Sequence, residues 1–362
     1  MATDPRFDVP ADIAVRVPAD VISAASAALF EGMGMRPDDA AAATDVLVYA
    51  DLRGIDSHGV SNMFPVYRHW FAEGHLEPRA APQVVADAPA VATVDDGRGL
   101  GLATCHAAMD LAIEKARSCG IGAVAVRNSG HFGAAGYWAH RAVEHGMIGV
   151  AMTQGGLMVA PTFGAEPLLG LNPIAVAAGG GEEPPFVFDA SMSSVAGNKI
   201  RIARRLGATV APGWIATADG TPIMEESPVP DEFLMLPVGG TREVGSHKGY
   251  GLATAVDILC GVLGGVGPGF LNPGAVSHHL LAYRIDAFCD PDAFVVDLDA
   301  ELAGLRNCRP APGNDRVLYA GLPEWETEQE RRAAGIPYHP DVLAWFRQAA
   351  DELGVGIDLP RP

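Results

Sequence analysis

Apolar residues recur at helical spacing in two long segments of the first third of the chain. Residues 36–54, RPDDAAAATDVLVYADLRG, begin with proline and two aspartates, which suit the amino end of a helix dipole, and they end at glycine. Residues 102–120, LATCHAAMDLAIEKARSCG, place their apolar side chains on one face and also end at glycine. The pattern predicts two helices, the first of which stops just before a polar loop.

The spacing of apolar residues changes after the second predicted helix. Residues 121–127 (IGAVAVR) and 147–153 (MIGVAMT) are short apolar runs typical of buried strands, and a helical pattern over 134–146 lies between them. This order allows a crossover unit whose loop, with Ser129 and His131, leaves the carboxyl end of the first strand. Ligands bind at that edge in open α/β sheets.

Four more elements follow from the pattern. Residues 172–178 (NPIAVAA) and 186–191 (FVFDAS) are predicted as short strands, and residues 338–354 as an amphipathic helix closed by glycine. The apolar stretch 251–270 carries Asp257 and several glycines, which favours a buried helix running into a turn over a membrane span.

Composition and charge narrow the class of protein. A chain of 362 residues that is 49% hydrophobic predicts two or three domains, and a net charge of −19 would repel nucleic acid. The five cysteines form no C-x-x-C pair, so neither a disulfide framework nor a zinc knuckle is predicted. The N-terminus lacks the apolar core of a signal peptide. We therefore expect a cytoplasmic protein that binds neither membrane nor nucleic acid.

Familiar cofactor and catalytic patterns fail. The one formal dinucleotide fingerprint, at Gly120, Gly122 and Ala125, lies before and inside a predicted strand and cannot open a helix. The sequence contains neither a phosphate-binding loop ending in Gly-Lys-Ser/Thr nor a Gly-x-Ser-x-Gly elbow. His140 and His145 are five residues apart and not four, so no metal site is predicted.

Histidine and glycine loops remain as candidates for chemistry. His58 lies between Ser57 and Gly59 just past a predicted helix, and loop histidines in such places often bind the last carbonyls of the helix. His131 can likewise cap the next helix. Asp189 can be a strand-end acid or a helix cap, and Lys248 a solvated surface lysine.

Taken together, five segments resemble one family. LRGIDSHGV, AVRNSGHFGAAGYWA, GLNPIAVA, FDASMSSVAGNKI and SHKGYGLATAVDILCGVLGG resemble, in this order and at comparable spacing, the malate/L-lactate dehydrogenase family of the non-Rossmann type. That family includes type-2 malate, sulfolactate and ureidoglycolate dehydrogenases, diketogulonate reductase and cyclic ketimine reductases. The resemblance runs from about residue 20 to about residue 355 and identifies the family better than the member.

The resemblance implies an α/β fold that binds NAD or NADP on a largely antiparallel central sheet, so a missing Rossmann fingerprint is expected. It implies a helical domain from both chain ends (1–72 and 305–362), a small connecting domain (73–130 and 291–304) and a cofactor-binding domain (131–290). Members are homodimers or larger homo-oligomers, with active sites near the subunit interface.

The resemblance also assigns roles to residues. The proton donor or acceptor of several members falls on His58, with Ser57 beside it, while other members use the histidine that falls on His131. We favour His58. The family's cofactor-binding positions fall on the following residues: Asn172, Pro173, Asp189, Ala190, Ser191, Met192, Ser193, Lys199, His247 and Lys248.

Three departures put the substrate in question. Many members carry arginine where this chain has Asn62, so Arg53, Arg68 or another cation must meet the substrate carboxylate, or the substrate is less anionic there. The segment FPVYRHW is shifted by one residue, which leaves the role of Tyr67 open. GNKI replaces Arg-Gly-Lys and keeps only Lys199.

Three functional hypotheses follow. The first is an NAD- or NADP-dependent dehydrogenase of a small 2-hydroxy or 2-oxo acid like malate or lactate, with cyclic ketimines or ureidoglycolate as alternative substrates. Histidine suits the proton transfer, since its usual pKa is about 6.5. The second is a lyase or hydrolase that uses His58 as a base without cofactor. The third is a catalytically silent relative that binds a small molecule.

Overall fold

The secondary structure of the chain is seen over residues 9–360 in a computed structural model, with the side chains of residues 205 and 206 excluded. Residues 1–8 and 361–362 of the predicted helical domain, and most of the N-terminal segment considered above as a signal peptide, lie outside the described residues. The described helices are α1 Ala19–Gly32, α2 Pro37–Leu52, α3 Val60–Ala72, α4 Gly101–Cys119, α5 Ala135–Val143, α6 Gly197–Leu206, α7 Ser246–Asp257, α8 Pro291–Arg306, α9 Leu322–Ala334 and α10 Pro340–Leu353.

The described strands lie before and between these helices, singly or in groups. They are β1 Val15–Val17, β2 Gln83–Asp87, β3 Val91–Asp95, β4 Ile121–Ser129, β5 Met147–Gln154, β6 Ile174–Ala178, β7 Phe186–Ala190, β8 Thr209–Val210, β9 Ile215–Ala216, β10 Ser227–Pro228, β11 Leu234–Met235, β12 Val276–Arg284 and β13 Ile336–Tyr338. Seven of them form one sheet in the order β2-β3-β4-β12-β5-β6-β7. Within the described residues, β3 and β4 are its parallel pair and the other neighbours are antiparallel. The predicted α/β class and the largely antiparallel sheet are therefore confirmed.

Helices cover both faces of the sheet because its inner strands are apolar on both sides. Leu280 of β12 belongs to the core that α4 and α5 close, whereas its neighbour Leu281 packs on the other face with Val256 of α7. These helices pack very close to the sheet. A Cβ on Gly149 of β5 would lie 2.0 Å from the carbonyl oxygen of Ala139 in α5, so only glycine fits there.

The predicted helices and strands are present, with one difference in their connection. The two helices predicted first correspond to α2 and α4, and Gly120 closes α4 with a φ of 86°. The predicted crossover from β4 through α5 leads to β5, but β12 lies between the two strands and is antiparallel to both. The prediction of a crossover was correct, while the inserted strand comes from Val276–Arg284, far beyond β5 in the sequence, and leaves no local signal.

The stretch 251–270 differs from its prediction as a buried helix. It forms most of α7 and a π-helical turn at Ile258–Val262, and large apolar side chains on it stay exposed, among them Ile258 at 51% and Leu263 at 61%. Among the described helices, none is both long and apolar enough to cross a bilayer. Near the chain ends, β1 pairs with β13 and α1 packs against α10.

Candidate active site

A cleft of about 2320 Å³ runs between the ends of α2 and α3, the loop after β4, the ends of β6 and β7, and α6. Small-molecule pockets usually measure roughly 300–1,000 Å³. The cleft is therefore large enough for more than one small ligand. His58 and His131 both border it, as does the segment from Asp189 to Ser193.

His58 lies on a single 3-10 turn, Asp56–His58, between α2 and α3. Hydrogen bonds to two carboxylates, those of Asp51 and Asp56, hold the turn in place. The buried carboxylate of Asp51 accepts hydrogen bonds from the backbone N–H of Val60 (3.1 Å) and from the hydroxyl of Tyr338 (2.7 Å). Arg331 of α9 donates to the Asp56 carboxylate at 2.6 Å. Residues from the two ends of the chain thus fix the turn that presents Ser57 and His58 to the cleft.

His131 follows β4 on a loop that packing also fixes. Trp138 of α5 donates its indole N–H to the carbonyl of Phe132 at 2.9 Å, and the ring of His278 stacks on Phe132 at 4.5 Å between centroids. His278 Nε2 lies 3.1 Å from the carbonyl oxygen of Gly130. His131 is therefore held at the carboxyl end of β4, as the sequence predicts.

The two histidine rings stack with their centroids 5.6 Å apart. Burial lowers the pKa of His58 to about 4. Burial also lowers the pKa of His131 well below its usual value, and the nearby His58, His278 and Arg201 act in the same direction. Both imidazoles are therefore neutral at pH 7 and can act as hydrogen-bond partners or as a base.

The ring nitrogens of the two histidines have different partners. Nδ1 of His131 accepts the backbone N–H of Gly133 (3.2 Å) and lies 2.7 Å from the Tyr67 hydroxyl. Because an N–H can only donate, Nδ1 of His131 is unprotonated and the neutral ring carries its proton on Nε2. Nδ1 of His58 lies 2.9 Å from Ser57 Oγ, a group that can donate or accept. His58 can therefore hold its proton on Nδ1 and leave Nε2 free to accept one.

The predicted cofactor segment borders the opposite side of the cleft. Asp189, at the end of β7, accepts the N–H of Gly136 in the first turn of α5 at 2.7 Å, so it also caps that helix. Burial raises the pKa of Asp189 to about 6. Asn172 and Pro173 line the cleft, and the buried Oδ1 of Asn172 has no hydrogen-bond partner among the described residues. Ala190, Ser191, Met192, Ser193 and Lys199 line it too.

Other predicted residues lie elsewhere or are engaged. Arg53 borders the cleft but is buried in an ion pair with Glu328, at 2.7 Å. The amide of Asn62 donates to the carbonyl of Asp56 at 2.7 Å, and Asn62 lies outside the residues that border the cleft. His247 and Lys248 are exposed at the start of α7 and do not border the cleft either. The loop before α7 borders it instead, through residues 238–241.

Two features of the site were missed from the sequence. The side chain of Asn198, in α6, donates to the carbonyl of Ser57 at 2.6 Å and so joins this helix to the histidine turn. Arg201, one turn further along, is exposed to the cleft. The sequence signal that could have revealed them was charge, because residues 199–205 hold four cations in a strongly acidic chain.

Comparisons with known proteins identify the family of the chain. A family model described as malate/L-lactate dehydrogenase matches residues 17–347. A malate dehydrogenase of Pyrococcus abyssi is 37% identical over 95% of this chain and 97% of its own, and an L-sulfolactate dehydrogenase of Methanocaldococcus jannaschii is 33% identical over 90% and 93%. The solved structure of malate dehydrogenase from Pyrococcus horikoshii OT3 superposes with a TM-score of 0.88 at 32% identity, covering 97% of this chain and 99% of that one.

Proposed function

Because the chain belongs to the malate/L-lactate dehydrogenase family, a family of oxidoreductases acting on hydroxy acids, we propose that it is an NAD- or NADP-dependent 2-hydroxy acid dehydrogenase. The reaction would move a hydride between the nicotinamide and C2 of a small 2-hydroxy or 2-oxo acid. The observation that carries this proposal is the stacked pair of His58 and His131 on the wall of a cleft whose other side holds the segment from Asp189 to Ser193.

The residues of the cleft fit a nicotinamide nucleotide. The volume of about 2320 Å³ accommodates a dinucleotide beside a small acid. Asn172 Oδ1 is a buried acceptor with no partner in the described part of the chain, and a carboxamide N–H would satisfy it. Lys199, at the same cleft, supplies positive charge suited to phosphate. We propose that these residues and the segment from Asp189 to Ser193 hold the cofactor, whose nicotinamide supplies or accepts the hydride.

The tautomers favour His58 as the group that moves the proton. Oxidation of a 2-hydroxy acid requires a base beside the hydroxyl, and Nε2 of His58 can be that base when Nδ1–H donates to Ser57 Oγ (2.9 Å). Nε2 of neutral His131 already carries a proton, so His131 can donate a hydrogen bond to the substrate oxygen and hold it in place. In reduction, protonated His58 would return the proton to the new hydroxyl.

The substrate we propose is an acid like malate or lactate. Support comes from two relatives that the comparisons name, a malate dehydrogenase and an L-sulfolactate dehydrogenase. A cyclic ketimine or a ureidoglycolate-type acid is the alternative substrate. A catalytically silent relative that only binds a small molecule is the other alternative.

We also propose a homodimer or larger homo-oligomer in the cytoplasm. The exposed apolar side chains of residues 252–271 support association, and one of them, Leu252, also borders the cleft. The five cysteines are unpaired in the described chain, which suits a reducing compartment.

A titration and a panel assay test the proposed function. NADH and NADPH are each titrated into the purified protein while the nicotinamide fluorescence is followed. The panel then tests malate, lactate, sulfolactate, ureidoglycolate, diketogulonate and cyclic ketimines with both cofactors, following nicotinamide absorbance. Binding of neither nucleotide would overturn the proposal and favour the cofactor-free lyase or hydrolase. Nucleotide binding with turnover of none of these compounds would favour the silent relative.

A further inference from the structure

The cleft needs a cation for the substrate carboxylate, and the positions expected to supply it do not. Asn62 points away from the cleft to the carbonyl of Asp56. Arg53 reaches the cleft wall, but its guanidinium lies 2.7 Å from the carboxylate of Glu328 and 5.1 Å from the centre of the Tyr49 ring. Arg68 is paired with Glu352 and is not among the residues that border the cleft. Each of these side chains is therefore absent from the cleft or already neutralised.

Arg201 is differently placed. It extends from α6, is exposed, and borders the same cleft as His58 and His131. Its guanidinium donates to Oδ1 of Asn198, whose own amide donates to the carbonyl of Ser57 at 2.6 Å. This chain of two hydrogen bonds ties the arginine to the turn that carries His58. The charge of Arg201 is also close enough to His131 to lower the pKa of that imidazole, after burial and two neighbouring histidines.

We propose that Arg201 binds the carboxylate of the 2-hydroxy or 2-oxo acid, in place of the arginine that Asn62 replaces. The inference rests on the proposed function, since it names how that substrate is held. A guanidinium can pair with both carboxylate oxygens, which fixes the acid as well as attracting it. With the carboxylate on Arg201, the adjacent C2 oxygen would lie toward the histidine pair, because the charge of Arg201 reaches His131 and Asn198 ties Arg201 to the carbonyl of Ser57.

Another arginine of α6 provides a matched control. Arg204 also borders the cleft, but its guanidinium lies 5.7 Å from the centre of the Phe233 ring and donates to the carbonyl of Asp231 at 3.3 Å. Arg204→Ala removes the same charge from the same helix. It separates a general loss of positive potential from the loss of a specific partner.

The test is binding of oxamate, a carboxylate analogue of 2-oxo acids, measured by calorimetry with and without NADH. Arg201→Ala should weaken oxamate binding about 10- to 100-fold, the usual effect of losing hydrogen bonds to a charged group. Arg201→Lys should recover part of that loss, and Arg204→Ala should stay within about twofold of the parent protein. The dissociation constant of NADH, from nicotinamide fluorescence, should be nearly the same in all variants.

Three outcomes would overturn the assignment of Arg201. They are unchanged oxamate affinity in Arg201→Ala, an equal loss in Arg204→Ala, and a loss of NADH affinity in place of oxamate affinity, which would make Arg201 a cofactor residue. Failure of the proposed function gives a distinct result, because the parent protein would then bind neither NADH nor NADPH. If turnover is found, Arg201→Ala should raise KM for the acid far more than it lowers kcat.

Discussion

At the scale of single residues, the site depends on a difference between two similar histidines. Both rings border the cleft and both have a lowered pKa because of burial. The difference lies at Nδ1, where His131 must accept from the N–H of Gly133 and His58 faces the more versatile hydroxyl of Ser57. The sequence favoured His58 by resemblance alone. The hydrogen bonds now supply a physical reason for that choice, which stays a prediction until it is measured.

We expect His58→Ala to lower turnover on the order of 10²-fold or more, since it removes the proposed base. The affinity for NADH should change little because the proposed cofactor residues lie across the cleft. His131→Ala should mainly raise KM for the acid, because this ring is proposed to orient the substrate oxygen. Steady-state kinetics and nicotinamide fluorescence measure both effects. If His58→Ala keeps its turnover and His131→Ala loses it, the two roles are exchanged.

The pH dependence of turnover tests the environment of the His58 ring. Burial lowers the pKa of His58 to about 4, so the base form persists well below the usual histidine range and is lost only as the pH falls through about 4. For oxidation of the hydroxy acid, the loss of kcat/KM that belongs to His58 should therefore centre near pH 4, below the range in which Asp51 (pKa about 7) and Asp189 (pKa about 6) titrate. Circular dichroism at each pH checks that the protein is folded. An NMR titration that gives the His58 ring itself a pKa near 6.5 would contradict the effect of burial.

At the scale of elements, the turn Asp56–His58 lies where α2, α3, α9 and β13 meet. We call this contact region the joint. Asp51 at the end of α2 joins the first N–H of α3 to Tyr338 in β13. The loss of solvation raises the pKa of Asp51 to about 7. Gly59 lies against this carboxyl, and a Cβ at that position would be 1.6 Å from Asp51 Oδ1. The glycine of the Ser-His-Gly motif is thus required by packing, since its φ of −87° is open to any residue.

We therefore expect Gly59→Ala to destabilise the protein by about 1–3 kcal/mol, because the added methyl group must displace a hydrogen-bonded carboxyl. The shift of the turn should lower kcat as well. The matched control is Gly304→Ala in α8, where a Cβ would meet open space and alanine favours the helix. Denaturant unfolding and turnover are measured for both variants. A Gly59→Ala protein with parental stability and kcat would show that the joint does not position His58.

The local sequence pattern was sufficient to predict the helices and strands, but it could not predict the contacts of this joint. The boundaries of α2 and α4 follow from proline, aspartate and glycine signals that act within a few residues. The contact of Arg331 with Asp56 joins positions 275 residues apart, and only the folded chain brings them together. The same reason explains why Asn198 and Arg201 of α6 were missed and why Asn62, His247 and Lys248 were expected at a cleft that they do not border.

At the scale of the whole molecule, charge and apolar surface are unevenly distributed. The chain carries a net charge of −19, yet the helix beside the histidine pair concentrates cations. An acidic protein that binds an acidic substrate needs such a local reversal, because the summed field would otherwise repel the ligand. Exposed apolar side chains are concentrated in the segment after Gly251, and they include Leu252, Ile258, Val262, Leu263, Phe270 and Leu271.

This apolar segment should be the surface on which two copies associate, since so many large exposed apolar groups are uncommon on a monomer. A carboxylate placed in such an interface is costly to bury, so Leu263→Asp should shift the protein from dimer to monomer. The same substitution at Val296 of α8, which is 66% exposed, should leave the dimer intact. Sedimentation velocity gives the masses, and circular dichroism shows whether each variant is folded. A parent protein that sediments as a monomer, or a folded Leu263→Asp variant that keeps the parental mass, would place the subunit contact elsewhere. Because Leu252 lies both on this surface and at the cleft, dissociation should also lower activity, which links the assembly to the site.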